Sequence, residues 1–387
     1  MKTRSAGDSV AGAYPSTAIQ VLLDAHILGQ RETGNETYLR NLVGQSAALE
    51  NLGARLTVAV SPGQAEGIPH AIVSARLGDD VYRLTTLLPR LARETGADLV
   101  HVTYHGPLSM RTPMAVTIHD VSYRVRMRFS SLRNALIQNA LGYWTARRAR
   151  LIITVSEFCR TEIARVYPFA AERIAVTYEA TDPLIPLTGR PADDRLRALG
   201  ITDGRFVFCM GRFQPRKNMT RLARAFLSIC ADRPGLQLVL AGENRTPTGD
   251  AMRREFAEAI RRGQILLPGY VGAEDAAVLY DRCACFAFPS LYEGFGLPVL
   301  EAMQRGAPVV TSSTTALPEI AGDAAILVDP ADEAAIATAI ARVITDHDFA
   351  AGMAARGRTR ASFFDGPRFA RATADAYARA LRGGYAR

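Results

Sequence analysis

FPSLYEGFGLPVLEAMQRGAPVV, residues 288–310, is the stretch from which the architecture of this chain can be read. An apolar run ends at Pro289, a glycine-rich loop Glu293-Gly294-Phe295-Gly296 follows, and Pro298 stands just inside a helical stretch that Gly306 closes. Proline suits the first helical turn, where its missing N–H would have no partner anyway, and glycine ends a helix because it turns left-handed without strain. With Pro308-Val309-Val310 opening the next apolar run, the segment reads as strand, loop, helix, strand. That is one β-α-β unit of a parallel sheet. Glycines let a backbone approach a ligand closely, and the unpaired amides of a helix start attract an anion.

The same alternation extends in both directions. Toward the C-terminus the runs are CFAFPSL (285–291), PVVTSS (308–313) and AILVDP (325–330); upstream stand RFVFCMG (205–211), LQLVLAG (236–242) and ILLPGYV (265–271). Earlier runs are IQVLLDA (19–25), RLTVAVS (55–61), LVHVTY (99–104), AVTIHD (115–120), LIITVSE (151–157) and RIAVTYEA (173–180), with helices expected near 35–50, 80–94, 131–149 and 157–167. Around TDPLIPLTGRPADD (181–194) the periodicity stops and Pro, Thr, Gly and Asp take over, which marks a hinge. A chain of 387 residues exceeds one ordinary core, so two α/β domains are expected. From about 331 to 384 Ala- and Arg-rich stretches predict ordinary helix.

Composition narrows the class. An apolar fraction of 48% with 22% charged residues is that of a folded globular chain. The first 18 residues lack an apolar core for a signal peptide, and no run of about 18 apolar residues predicts a membrane span. Five cysteines without metal-ligand spacing, with Cys209 and Cys285 inside strand-like runs, read as small buried thiols of a reducing cytoplasm. The net charge of +8 is concentrated in 121–167, where nine arginines stand against Glu157 and Glu162. Such a patch suits nucleic acid, anionic lipid or a phosphorylated substrate, and no nucleic-acid-binding module accompanies it.

Glu293 lies in the loop and Glu301 eight positions later in the helix. Two carboxylates beside an anion-attracting helix start would repel the anion if they touched it. Each is suited instead to accept hydrogen bonds from neutral hydroxyls, which a sugar and a ribose supply. A tight turn with two solvated glutamates is the structural alternative. MGRFQPRKNM (210–219) follows a strand and precedes a helix, so Gly211, Arg212 and Lys217 fall at the carboxyl edge of the sheet, where ligands of open α/β sheets bind. Arg212 offers a fork of donors and Lys217 a point charge to a diphosphate, the alternative being a solvated basic turn. PGYVG (268–272) ends another strand at that edge, where Tyr270 and Val271 could meet a nucleobase or simply close the strand.

In their order and spacing these segments resemble the retaining family-4 glycosyltransferases of GT-B fold, a group that includes many bacterial mannosyl- and glucosyltransferases; the strongest element is Glu293 and Glu301 within EGFGLPVLEAM. The resemblance covers nearly the whole chain. It implies two Rossmann-like domains facing each other across a cleft: an acceptor-side domain over 1–183, a nucleotide-sugar-binding domain over 184–365, and a final helix over 366–387 packing back on the first. It further implies that Arg212 and Lys217 bind the donor diphosphate, Glu293 the transferred sugar and Glu301 the ribose. Gly294 and the amides of Phe295, Gly296 and Leu297 would meet the sugar and phosphate, with Gly211, Tyr270 and Val271 also on the donor.

In the first half, the motif TIHD (117–120) looks like the family's His-Asp position, where His119 contacts the donor sugar or the acceptor hydroxyl and Asp120 orients it. RETGNETYLRNL (31–42) resembles the first βα loop, where the family usually carries two glycines that admit the donor phosphate and the acceptor; here one, Gly34, is assigned to the donor, which leaves the acceptor side of the loop open. SEFCR (156–160) is read as a helix cap by Ser156 and kept outside the site. No Asp-any-Asp strand end or His cluster suggests a divalent metal, so metal independence and no cofactor are expected, with a nucleotide-sugar as co-substrate. Retention by front-side attack, the leaving phosphate helping to deprotonate the acceptor, is what the resemblance implies for the chemical step. The context HDVSY with EGFGLPVLEAM favours GDP-mannose over UDP-glucose or another UDP-sugar.

The acceptor implied is a glycan or a polyprenyl-diphosphate-linked chain of bacterial surface polysaccharide synthesis. RMRFSSLRNALIQNALGYWTARRAR (126–150) spaces Phe129, Leu132, Leu136, Ala140 and Trp144 near one helical face with arginines at both ends. It is either a core helix or, with 124–150 as a whole, a contact with an anionic surface on the inner face of the cytoplasmic membrane. Fold alone does not give function, so a nucleotide-sugar epimerase and a non-catalytic nucleotide-sugar binder are the rival readings.

Overall fold

A computed structural model describes residues 18–30, 33–74, 77–107, 109–122, 132–181, 191–201 and 205–382. The middle of the expected hinge, with the 183/184 boundary, and Arg124, Arg126, Arg128 and Phe129 lie outside these residues. Among the described residues thirteen strands form two sheets. The first contains β1 (Ile19–Asp24), β2 (Ala54–Val60), β3 (Ala71–Val73), β4 (Leu99–Thr103), β5 (Met114–Thr117), β6 (Leu151–Thr154) and β7 (Ile174–Val176), in the order β3-β2-β1-β4-β5-β6-β7. The second contains β8 (Phe206–Met210), β9 (Gln237–Ala241), β10 (Ile265–Gly269), β11 (Cys285–Phe288), β12 (Val309–Ser312) and β13 (Ala325–Val328), in the order β10-β9-β8-β11-β12-β13.

The pairings are parallel, Val21 lying opposite Leu56 and Leu99, and Phe286 opposite Phe208 and Val309. Strands covered on both faces must be apolar along their whole length, and β4, β9 and β11 are buried at every residue. Each order reverses once, between β1 and β4 and between β8 and β11. In an open parallel sheet the loops leaving such a pair part to opposite faces and open a crevice for a ligand.

The expected strands are present. β3 escaped the sequence reading because its apolar run, Ala71-Ile72-Val73, is only three residues long and nowhere fully buried. The helix expected over 35–50 is broken into Thr33–Gly44 and Ser46–Asn51, and that over 80–94 carries a π-helical turn, Arg83–Leu87. The hinge expected to reach 194 is shorter, because Ala192–Ala198 is already helical.

By its contacts the chain divides into two compact units, Met1–Thr117 with Trp144–Ile152 and Ala370–Arg387, and Ile118–Tyr143 with Ile153–Phe369. Within the first, a buried chain of hydrogen bonds ties the last helix to the sheet. Tyr377 hydroxyl meets His101 Nδ1 at 2.8 Å, His101 Nε2 meets Thr117 Oγ1 at 2.7 Å, and Thr117 meets Tyr38 hydroxyl at 2.9 Å. The core of the second unit gathers Phe208, Phe286, Phe288 and Tyr280, with Phe286 and Phe288 stacked at 5.8 Å between centroids. Full burial of each such ring contributes about 1.5–3 kcal/mol. All five cysteines are free and buried, and burial pushes the Cys209 and Cys285 thiols up to about 12. No helix among the described residues is long and apolar enough to cross a membrane.

Candidate active site

β8 and β11 lie side by side at the reversal of the second sheet, so the loops that leave them are neighbours. β8 runs through Gly211 and the exposed Arg212 into a 3-10 turn, Pro215–Lys217, then into the helix Met219–Cys230. Asn218 joins turn to helix in the left-handed region, φ 60°, which asparagine tolerates better than most residues. Its Nδ2 donates to the carbonyls of Pro289 at 2.9 Å and Pro330 at 2.7 Å and pins the turn against β11.

That turn delivers Lys217 to Glu293. Lys217 Nζ lies 2.7 Å from Glu293 Oε1 and 4.8 Å from the Phe288 ring centroid, and both side chains are buried. Arg216 Nη1 donates to Glu293 Oε2 at 3.2 Å and to the Tyr292 carbonyl at 3.2 Å, and Ser290 Oγ donates to Glu293 Oε1 at 2.6 Å. Burial acts against the charged carboxylate, but Lys217 and Arg216 outweigh it and hold Glu293 below the usual carboxylate range. Burial depresses the Lys217 ammonium, with Glu293 opposing. The ion pair is governed by Glu293, since two cations and a hydroxyl converge on one carboxylate. Two positive charges against one negative leave a surplus that suits an anionic ligand.

The loop then turns into the helix Leu297–Gln304 through Gly296, φ 118°, with Pro298 in the first turn and Gly306, φ 78°, just past the end. Glu301 is half-buried in this helix, and its Oε2 accepts the Tyr280 hydroxyl at 2.8 Å. Tyr270 is 72% exposed and Val271 buried beyond β10, which β9 separates from β8, so these two residues leave the sheet at its edge strand.

His119 and Asp120, which follow β5, belong to the same compact unit as this loop. Gly294 is pressed against them: a Cβ there would stand 2.7 Å from the His119 carbonyl oxygen and 3.3 Å from Asp120 Cβ. Any side chain at 294 would push the loop from His119. His119 is buried with its Nδ1 3.5 Å from Glu179 Oε1, and Asp120 Oδ1 accepts the Ser122 amide at 3.1 Å and hydroxyl at 2.8 Å. Ser156 caps the helix Glu157–Val166 as expected, accepting the Cys159 amide at 3.1 Å. It also donates to the Gly294 carbonyl at 2.6 Å, so a residue read as a cap alone supports the glycine loop. Glu319 accepts the Glu157 and Phe158 amides at 2.7 and 3.1 Å and the Tyr178 hydroxyl at 2.8 Å.

Arg216, Ser156, Glu179 and Glu319 were not assigned to a site from sequence. Only Arg216 had a local signal, a second cation beside Lys217. Gly34 lies in the other unit, in the first turn of the helix Thr33–Gly44 rather than in a loop. No cluster of three or more His, Cys, Asp or Glu suited to a metal ion occurs among the described residues.

Residues 193–360 match the family model described as glycosyl transferases group 1, and residues 33–183 that of glycosyltransferase family 4. The O-antigen chain mannosyltransferase B of Escherichia coli is 34% identical over 314 residues, 77% of this chain and 79% of that protein. The serotype-specific mannosyltransferase WbdA of Escherichia coli is 30% identical over 179 residues, 46% of this chain and 22% of that longer protein. Among solved structures, Anabaena Alr3699/HepE in complex with UDP-glucose superposes with a TM-score of 0.70 at 20% identity, over 93% of this chain and 99% of that one, a likeness of fold.

Proposed function

The chain belongs to the family-4 glycosyltransferases, with the two parallel-sheet Rossmann-like units of the GT-B fold, and on that premise we propose that it transfers mannose from GDP-mannose with retention of configuration. The acceptor in this reading is a glycan or polyprenyl-diphosphate-linked chain of bacterial surface polysaccharide synthesis. The observation that carries it is the surplus of cations around Glu293 at the reversal between β8 and β11, with the glycine loop held against His119. The mannosyltransferase relative that this chain matches over 79% of its length supports the sugar.

In this mechanism Lys217, Arg216 and Arg212 take the diphosphate, and its negative charge replaces part of what Glu293 now supplies. Glu293 turns toward hydroxyls of the transferred sugar, Glu301 accepts from the ribose, and the amides of Phe295, Gly296 and Leu297 at the helix start meet the sugar and phosphate. Tyr270 and Val271 lie toward the base. The arginine and lysine donors stabilise the charge that grows on the leaving diphosphate, which makes turnover indifferent to a metal chelator. The departing phosphate oxygen helps deprotonate the acceptor on the same face of the sugar.

A UDP-glucose donor is the second reading, favoured by the likeness to the Anabaena protein solved with UDP-glucose. A thermal-shift panel of GDP, UDP, ADP and their sugars separates the two, because a ligand raises the melting temperature only of the fold that binds it, by about 2.7 kcal/mol of stability at 100 times its Kd. GDP and GDP-mannose are expected to give the largest rise. A response to UDP compounds alone overturns the donor, and a new sugar epimer formed without acceptor overturns transfer.

The same reading seats the enzyme on the inner face of the cytoplasmic membrane. Tyr143 and Trp144 are 46% and 51% exposed near the end of the helix Leu132–Arg148, where Arg147 and Arg148 face solvent. Arg111, Arg148 and Arg150 line a recess without an acidic residue. Aromatic rings beside arginines suit anionic head groups. Failure to sediment with anionic liposomes at low salt sinks this placement.

A further inference from the structure

Glu179 enters none of the assignments above, yet it is buried, 4% exposed, and stands three residues beyond β7 against a residue 60 positions earlier. Its Oε1 lies 3.5 Å from Nδ1 of His119, itself 7% exposed, and its Oε2 is buried with no hydrogen-bond partner among the described residues. A buried carboxylate is costly unless a donor or cation meets it. The neighbouring Tyr178 does not help to position His119, because its hydroxyl turns away to Glu319, at 2.8 Å. A contact of this length is of the kind that tightens when substrate binds.

We propose that Glu179 is a positioning residue that holds His119 with Nδ1 protonated, so that Nε2 presents a lone pair and accepts a hydrogen bond from a sugar hydroxyl. An ionised carboxylate only accepts, so the imidazole nitrogen facing it must carry the proton, and in the neutral ring the other nitrogen then has none. The role is chemical as well as geometric. His119 in this tautomer meets a hydroxyl rather than a phosphate oxygen, which would need an N–H. Gly294 against the His119 carbonyl fixes the backbone of the residue, and Glu179 fixes the ring. The inference rests on the proposed place of His119 at the transferred sugar.

The test uses the full-length protein, with histidine labelled in nitrogen-15 for two-bond proton–nitrogen correlation, and GDP-mannose turnover as the kinetic readout. The wild-type His119 ring is expected as the Nδ1–H tautomer. Glu179→Gln is expected to convert it partly or wholly to Nε2–H, because the amide can donate to Nδ1, and to lower kcat about 10- to 100-fold with KM for GDP-mannose within about twofold. Glu179→Asp, which keeps an acceptor on a shorter arm, is expected to restore the wild-type tautomer and part of kcat, and it serves alone should the Gln variant fail to fold. A wild-type Nε2–H tautomer overturns the proposal, as does a Glu179→Gln enzyme with unchanged tautomer and kcat. His119→Asn separates the two levels: full turnover in that variant sinks the role of His119 itself, whereas its collapse beside a fully active Glu179→Gln sinks only the role of Glu179.

Discussion

Both sheets place a buried carboxylate at the point where their strand order reverses, and the two differ in the charge set around it. In the second sheet Glu293 faces Lys217 and Arg216, two cations for one anion. In the first, Asp24 at the end of β1 is wholly buried against Arg83, and Arg83 is shared with Asp80 at 2.6 Å, while His26 Nδ1 lies 3.1 Å from Asp24. There, among the described residues, two carboxylates share one permanent cation. Arg83 reaches this position from the π-helical turn Arg83–Leu87, a distortion that redirects side chains and occurs often at functional sites. Each sheet thus has a switch point of the kind where open α/β sheets form a crevice, and the charge set around the buried carboxylate differs between the two.

The largest effect expected from this comparison is on Lys217. Lys217→Met removes the buried cation and should lower GDP-mannose turnover by about 10²- to 10³-fold and shrink the thermal shift given by GDP. Turnover unchanged in this variant breaks the assignment of the second crevice. Glu293→Gln should cost a similar factor in turnover and, by leaving the buried Lys217 without its carboxylate, about 3–5 kcal/mol in denaturant titration.

Asp24→Asn tests the other side. It leaves the buried Arg83 with Asp80 in place of two carboxylates and should lower stability by about 3 kcal/mol, with the thermal shift from GDP retained. Loss of nucleotide response in proportion to stability would erase the distinction between the crevices.

Acidification sharpens the contrast between buried and solvated carboxylates. Burial works against the charge of Asp24, but His26 and Arg83 prevail and hold it, like Glu293, below the usual carboxylate range. The folded state therefore binds fewer protons than the unfolded state in that interval, and stability rises with pH across it. The stability difference between wild type and Glu293→Gln should be fully present above the ordinary glutamate value of about 4.3 and disappear only as pH falls through the lower folded value. A difference already fading near neutrality contradicts the ion pair.

The smallest effect is at Ser156. Ser156→Ala loses a cap to the Cys159 amide and the bond to the Gly294 carbonyl, about 1–2 kcal/mol together, with turnover within a few-fold of wild type. A loss of stability below experimental error removes Ser156 as a support of the loop.

What could be read in advance was local in sequence. The strand, glycine loop and helix of 288–306 needed only an apolar run, Pro298 inside the first turn and Gly306 after the last, each acting on its own backbone. Gly34, placed in a loop by resemblance alone, stands in a helix that starts at Thr33 and whose later residues Tyr38 and Leu39 are buried in the core. The π-helical turn left no trace in the periodicity, since one widened turn shifts the apolar phase too little to see.

Sequence alone was enough for the class of fold and the two parallel sheets, and it singled out Glu293, Lys217 and the glycine loop as candidates, because alternating apolar runs, helix-end residues and loop glycines act over a few neighbouring positions. Long-range packing was needed to establish that Arg216 shares Glu293 with Lys217, that Ser156 holds the Gly294 carbonyl, and that Glu179 stands against His119. Those contacts join residues from 60 to 138 positions apart. No local preference encodes them, and they arise only when the packing of apolar strands brings their polar ends to one edge of the sheet.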